Sequence, residues 1–427
     1  MKKQFRALLS FLLLLLLLTS VVSAQISHSE RIKILDKVWT TINKKYYDPR
    51  FNGVNWNEIR EIYRPRIEAA KDDAEVFTIL KQMVGELKDI HTSFRTPLEV
   101  EASKRNLTTG VGLWLGEAEG KTVIFGVEPD SEAQRAGLRT GLIVSKIDGR
   151  DTAEILAEKR AAIKSSSSNA VNRMAYARLL SGAENTPVRL HLLEPNESVE
   201  REVTLVRRVM KPSTISKTQF TSHWTASGVG YIRFDEFDFK AVKQFKKALT
   251  EFKDTKGLII DLRFNRGGYH YAMSEMAAPF FAEKVSFGKT VTRTGKIPKF
   301  LGISLIPKET FVGEEGEQRY IAPIVILISN YSASAAEHFA AGMQESGRAK
   351  IVGGQSCGCM LGIRGKTKIS GGELYVSQFD FVTAGGKRIE QIGVMPDLTI
   401  VPTVLDAQSG FTKAVIEGEN LLISSKN

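Results

Sequence analysis

Two periods of hydrophobic spacing divide the chain. Residues 29–47 place Leu35, Val38, Trp39, Ile42 and Tyr46 three or four positions apart. Residues 75–88 repeat the pattern with Val76, Ile79, Leu80, Met83 and Leu87. That spacing gathers the apolar side chains on one stripe of each of two amphipathic helices, and the stripes are core. From about 105 the apolar runs shorten. Val111 to Leu115, Thr122 to Phe125, Gly141 to Val144, Val188 to Leu193 and Val203 to Val206 read as strands separated by turn residues, one of them entering the turn Asp148-Gly149. From 211 onward strands and helices alternate. The strand Gly230 to Phe234 precedes two continuous apolar runs, Gly257 to Leu262 and Ile324 to Ile328, which predict strands buried on both faces. With helices expected over 240–253, 270–282 and 335–346, and loops with small strands over 286–320, the fold class is multi-domain α/β, a mostly parallel sheet covered by crossover helices.

The first 24 residues follow neither period. Lys2, Lys3 and Arg6 precede a run of leucines from Leu12 to Leu18, and Val22-Ser23-Ala24 offers small residues at signal-peptidase spacing. A basic flank, a short apolar core and a small-residue exit predict a secretory signal peptide over 1–24, hence a periplasmic or extracellular protein. The alternative is an uncleaved N-terminal anchor; cleavage leaves no stable membrane span. The formal net charge of +11 then falls to about +8, and no basic stripe interleaved with aromatics remains. Nucleic-acid partners are therefore not expected. With only two cysteines and six histidines, a Cys-rich zinc site is excluded, and no metal is expected.

Two constellations carry chemistry. Asp261-Leu262-Arg263-Phe264-Asn265-Arg266-Gly267-Gly268 ends a buried strand, where paired glycines let backbone N–H groups approach a ligand. Ser332-Ala333-Ser334-Ala335-Ala336-Glu337 stands where another buried strand turns into a helix, whose N-terminus favours negative charge. Ser334 followed by Glu337 also fits a capping box, a purely structural role.

Together with Gly347 to Gly353 and Gly393-Val394-Met395-Pro396-Asp397, these motifs resemble the C-terminal processing, or tail-specific, peptidase family. The strands of 105–210 resemble a PDZ domain in the permuted form of bacterial proteases. The resemblance implies a signal peptide (1–24), a helical N-terminal region (25–104), an inserted PDZ-like β-domain (105–210) and a ClpP/crotonase-like α/β peptidase core (211–427). It implies a serine endopeptidase acting on protein or peptide substrates, without a cofactor and with room for a homo-oligomer. Ser334 would be the nucleophile, with the N–H groups of Ala335 and of Gly267 or Gly268 as the oxyanion hole. The amide loop Gly110-Val111-Gly112-Leu113 would hold a peptide C-terminus in the PDZ-like part, the peptide adding as a strand.

The general base departs from the family pattern. Where a lysine usually stands, this chain has Cys359, and Ile363 replaces the glutamine that follows it. Three explanations stay open. The first is a Ser-His-Glu triad as in the tricorn-like branch, with His91 in Asp89-Ile90-His91-Thr92 as base and Glu390 orienting it. The second recruits Lys366 or Lys368. The third is an inactive chain that only binds peptides. His338, four residues after Ser334, is expected to be packing. Cys357 and Cys359 are either a C-x-C disulfide or two small apolar side chains beside the site.

Overall fold

A computed structural model of the chain describes residues 26–105, 108–165, 167–210, 220–301, 303–304, 306–313 and 320–424. The segment expected to be a signal peptide lies outside them. Among the described residues no helix is long and apolar enough to cross a membrane.

The N-terminal region folds as three helices, α1 (His28–Lys45), α2 (Trp56–Glu68) and α3 (Asp73–Gly85). Each begins at a side-chain cap: Ser27, Asn55 and Asp72 accept from Glu30, Glu58 and Glu75 N–H respectively. Ile34, Leu35, Val38 and Ile42 form the buried stripe of α1. That stripe is shared, because Leu361, Ile369, Leu374 and Val376 of the C-terminal half belong to the same hydrophobic cluster. Strand β1 (Ser93–Arg95) completes the union by pairing antiparallel with a later strand at Glu373–Tyr375.

Residues 111–205 enclose a separate hydrophobic cluster. Here β2 (Leu113–Ala118), β3 (Lys121–Val127), β4 (Ile143–Ile147), β5 (Pro187–Leu193) and β6 (Arg201–Val206) form an antiparallel sheet in that order. The helix α4 (Ser168–Ala177) packs on β2.

The C-terminal half is built on a six-stranded sheet. Its order is β7 (Phe220–Trp224), β8 (Gly230–Phe234), β9 (Leu258–Asp261), β10 (Ile324–Ile328), β11 (Ala349–Gly353) and β12 (Leu398–Thr399). All its pairings are parallel except that of β7 with β8. Both faces are covered, as the continuous apolar runs require. Leu258, Ile260, Ile324 and Ile326 pack toward α5 (Phe239–Glu251), α6 (His270–Ala277) and α7 (Ala335–Glu345), while Ile259, Val325 and Leu327 pack toward α8 (Lys413–Ser424). The carboxyl ends of β9 and β10 lie side by side, so their loops meet where ligands of parallel sheets collect.

Candidate active site

Asn265 holds the two loops together. It is fully buried; its Oδ1 accepts Gly267 N–H at 2.8 Å and its Nδ2 donates to Phe234 O at 2.9 Å. Its carbonyl accepts Ala333 N–H from the facing turn at 3.0 Å. Asp261, also fully buried, is neutralised by Arg263 at 2.6 Å and accepts Tyr231 OH at 2.7 Å. The Arg263 guanidinium holds the Asp261 carboxyl below its ordinary value against the opposing effect of burial. The charged head of this motif is therefore scaffold, and its glycines are the part that faces Ser334.

Of the two serines in the facing turn, Ser332 is committed. Its Oγ donates to Leu262 O at 2.8 Å and accepts Ser329 N–H at 2.9 Å. Ser334 is not. Glu337 Oε2 accepts Ser334 N–H at 3.0 Å and Glu337 N–H donates to the Ser334 carbonyl at 2.9 Å, while the Ser334 hydroxyl donates to no described residue. Ser334 and Glu337 form the expected capping box, but the hydroxyl proton is given to no acceptor among the described residues, which leaves it open for chemistry. Ser334 also sits at φ 57°, ψ −119°, a conformation natural to glycine and strained for serine.

Gly267 is pressed against this turn. A Cβ on it would lie 2.7 Å from Ala333 O and from Ser334 Cβ, and its φ is +95°. Its N–H is spent on Asn265, which corrects the expectation that it serves as an oxyanion donor. Gly268 differs. Phe237 donates to Gly267 O and accepts from Tyr269 N–H, at 2.7 and 2.8 Å, so the N–H of Gly268 points to the opposite side. Ala335 N–H is the first of α7 and has no acceptor within the helix.

Glu337 has a larger task than capping. Its buried carboxylate also accepts Ser356 Oγ at 2.6 Å, Gly358 N–H at 2.7 Å and Cys359 N–H at 2.9 Å. It thereby fastens the loop that carries Cys357 and Cys359, which are disulfide-bonded. The disulfide packs with Ala333, Ala170 and Ile90, between the serine turn and the histidine segment. Helix α4 docks on the same loop: Ser167 Oγ donates to Cys357 O, and Asn169 Nδ2 donates to Ser356 O at 2.8 Å.

His91 shares a cavity of about 1150 Å³ with Ala333 and Cys359. Its Nδ1 is buried, has no hydrogen-bond partner, and lies 3.8 Å from Asp89 Oδ1. Asp89 is tied to the backbone by His91 N–H at 2.8 Å and to Thr92 Oγ1 at 2.5 Å. Burial holds the imidazole below its ordinary value, against the pull of Asp89. No hydrogen bond joins His91 to Ser334 or Glu390 among the described residues. Glu390 Oε2 instead accepts Met360 N–H at 2.6 Å and Leu361 N–H at 3.2 Å. Burial, reinforced by Asp89, pushes the Glu390 carboxyl up to about 8. The expectation that Glu390 directly orients His91 is corrected accordingly: its oxygen is committed to two amides, and the carboxylate facing Nδ1 is Asp89. An acid two residues ahead of the histidine is the sequence signal for this.

The rival bases are engaged elsewhere. Lys366 is paired with Glu373, which holds its ammonium above the ordinary value, the wrong direction for a base. Lys368 stands opposite Glu373 in an antiparallel sheet pair. His338 Nε2 donates to Phe287 O, 3.1 Å away, and burial lowers the imidazole to about 3. It is packing, as expected.

The far end of the cavity is the amide loop. Gly110, Val111, Gly112 and Leu113 all line it. Gly112, at φ +83°, approaches Ser131 so closely that a Cβ would lie 2.1 Å from the serine Cβ. One space thus joins the antiparallel unit of residues 111–205 to the serine turn.

Comparison with known proteins finds peptidases. The pattern of peptidase family S41 matches residues 228–400, and that of the tricorn protease C1 domain matches residues 27–85. A carboxyl-terminal-processing protease of Synechocystis sp. is 28% identical over 380 residues, covering 87% of this chain and 81% of its own. Among solved structures, mature CPAF superposes with a TM-score of 0.72 at 14% identity, covering 93% of this chain and 98% of that one. The photosystem II D1 C-terminal processing protease gives 0.55 at 23% identity, covering 88% and 95%. These structural likenesses show a shared fold. Residues 228–400 thus match peptidase family S41 and residues 27–85 the tricorn protease C1 domain, and with relatives named as carboxyl-terminal-processing proteases these matches support a serine peptidase.

Proposed function

We propose that this chain is an exported serine endopeptidase that cuts protein tails with Ser334 as nucleophile and His91 as general base. The observation that carries this is the open Ser334 hydroxyl, strained at a helix N-terminus against Gly267, in a turn whose neighbour Ala333 lines one cavity with His91. In the reaction, Ser334 Oγ attacks the scissile carbonyl as His91 takes its proton. The developing oxyanion is met by the N–H groups of Ala335 and Gly268. His91 then gives the proton to the leaving amine, and water resolves the acyl-enzyme by the same steps in reverse. Asp89 Oδ1, facing Nδ1, steadies the imidazole as it charges. Glu390 acts at one remove, holding the Met360 and Leu361 amides behind the disulfide loop. The PDZ-like unit presents the substrate tail through the shared cavity. Export rests on residues 1–24, and a homo-oligomer is compatible with the fold.

The test is degradation of an unfolded protein such as casein by the mature chain. Wild type is expected to cut it, with Ser334→Ala and His91→Ala each losing at least about a thousandfold in kcat/KM. Full activity in His91→Ala, or no cleavage by wild type, would remove the corresponding assignment.

A further inference from the structure

Among the charged groups that line the cavity, one near His91 has no task in the reaction above. Arg173, on the PDZ-side helix α4, lines it together with His91, Arg266, Phe264 and Tyr331. Arg173 makes no hydrogen bond and no ion pair with any described residue. The half-buried Arg160 and the buried Arg207 of this unit differ. Arg160 donates to Asn172 at 2.6 Å, and Arg207 donates to Leu180 O at 2.9 Å and Pro187 O at 2.7 Å.

A guanidinium carries five donors and keeps its charge in any protein environment. Held partly out of water without acceptors, it costs free energy that a bound anion returns. Burial acts on Arg173 most strongly, Glu337 and Tyr331 exert the opposite influence, and the nearby Arg266 adds a second positive charge. Arg266 itself stands 3.6 Å from Glu236, a loose pair. At the amide-loop end the arginines are already matched, since Glu132 lies 3.0 Å from Arg135 and 3.6 Å from Arg208, and Glu128 Oε2 is buried there without a hydrogen-bond partner. Positive charge without a partner is therefore concentrated at the peptidase end.

We infer that Arg173 is a specificity residue that binds a carboxylate of the peptide substrate and so fixes which bond reaches Ser334. The forked guanidinium matches a carboxylate in two parallel hydrogen bonds. The carboxylate is either the free C-terminus or an acidic side chain upstream of it. This rests on reading the cavity as the path of a peptide substrate.

The experiment uses the Ser334→Ala protein, which is expected to bind without cutting. Four fluorescein-labelled peptides of one backbone sequence are titrated by anisotropy: C-terminal acid or amide, each with Glu or Gln at one internal position. Loss of the carboxylate that Arg173 holds is expected to weaken binding about tenfold. Adding Arg173→Gln is expected to abolish that discrimination, and Arg173→Lys to retain part of it. The discriminating pair identifies the source of the carboxylate. Binding without discrimination, discrimination that survives Arg173→Gln, or equal weakening of all four peptides by Arg173→Gln and Arg173→Lys overturns the inference. Absence of any binding overturns the cavity as a peptide path, and with it the inference. A wild type that binds with discrimination but never cuts would instead sink the peptidase reading alone.

Discussion

Ser334 combines an open hydroxyl with a backbone that glycine would adopt more comfortably, at φ 57° and ψ −119°. Strain of this kind persists where function requires it. Ser334→Gly is therefore expected to unfold at higher denaturant than Ser334→Ala, by about 1 kcal/mol, although both lack the hydroxyl. Equal midpoints would mean that the turn stores no strain. The second residue-level expectation concerns pH. A base must be neutral to work, and burial lowers the His91 imidazole below 6.5 while Asp89 raises it. The acid limb of kcat/KM is thus expected below pH 6.5, and Asp89→Asn, which removes the raising influence, is expected to move it lower still. A limb at higher pH in Asp89→Asn would contradict the placement of that carboxylate. Sequence made Ser334 legible as the candidate nucleophile because two motifs bracket it. It pointed to Glu390 as the orienting acid, whereas Asp89 lies beside Nδ1, because which carboxylate faces the imidazole depends on the path of chain between 91 and 390. The wider role of Glu337 was also hidden, because its Ser356, Gly358 and Cys359 partners lie some twenty residues away.

Elements with strong periods are where sequence and structure agree most closely. The stripe over 29–47 is α1, the continuous runs near 258 and 324 are buried strands, and helices follow near 240, 270 and 335. Helix α2 stands out less in the sequence, because Pro65 interrupts a stretch crowded with charge. The N-terminal helices read as a region of their own, yet their stripe is completed by Leu361, Ile369, Leu374 and Val376, contacts that local spacing cannot reveal. At this scale the decisive contact is loop against turn. Gly267→Ala would drive a Cβ to 2.7 Å from Ala333 O and 3.0 Å from Ala335 N, at a φ of +95°. Displacing the serine turn by a fraction of an ångström is expected to lower kcat/KM by roughly a hundredfold. Unchanged kcat/KM in a folded Gly267→Ala protein would show that this loop does not set the geometry of Ser334.

Over the whole molecule, three chain regions converge on one loop. Helix α7 fastens the Cys357–Cys359 loop through Glu337, helix α4 docks on it through Ser167 and Asn169, and Ile90 packs on it from the histidine segment. The loop occupies the place where the family pattern has its lysine; in the proposed account that position is a structural joint and the base, His91, comes from the N-terminal region. The measurement that tests this most directly is intact-mass and peptide mapping after treatment with a fluorophosphonate probe. The account predicts one adduct on wild type, mapped to Ser334, lost in His91→Ala and retained in Lys366→Ala. An adduct that survives His91→Ala and disappears in Lys366→Ala would contradict it.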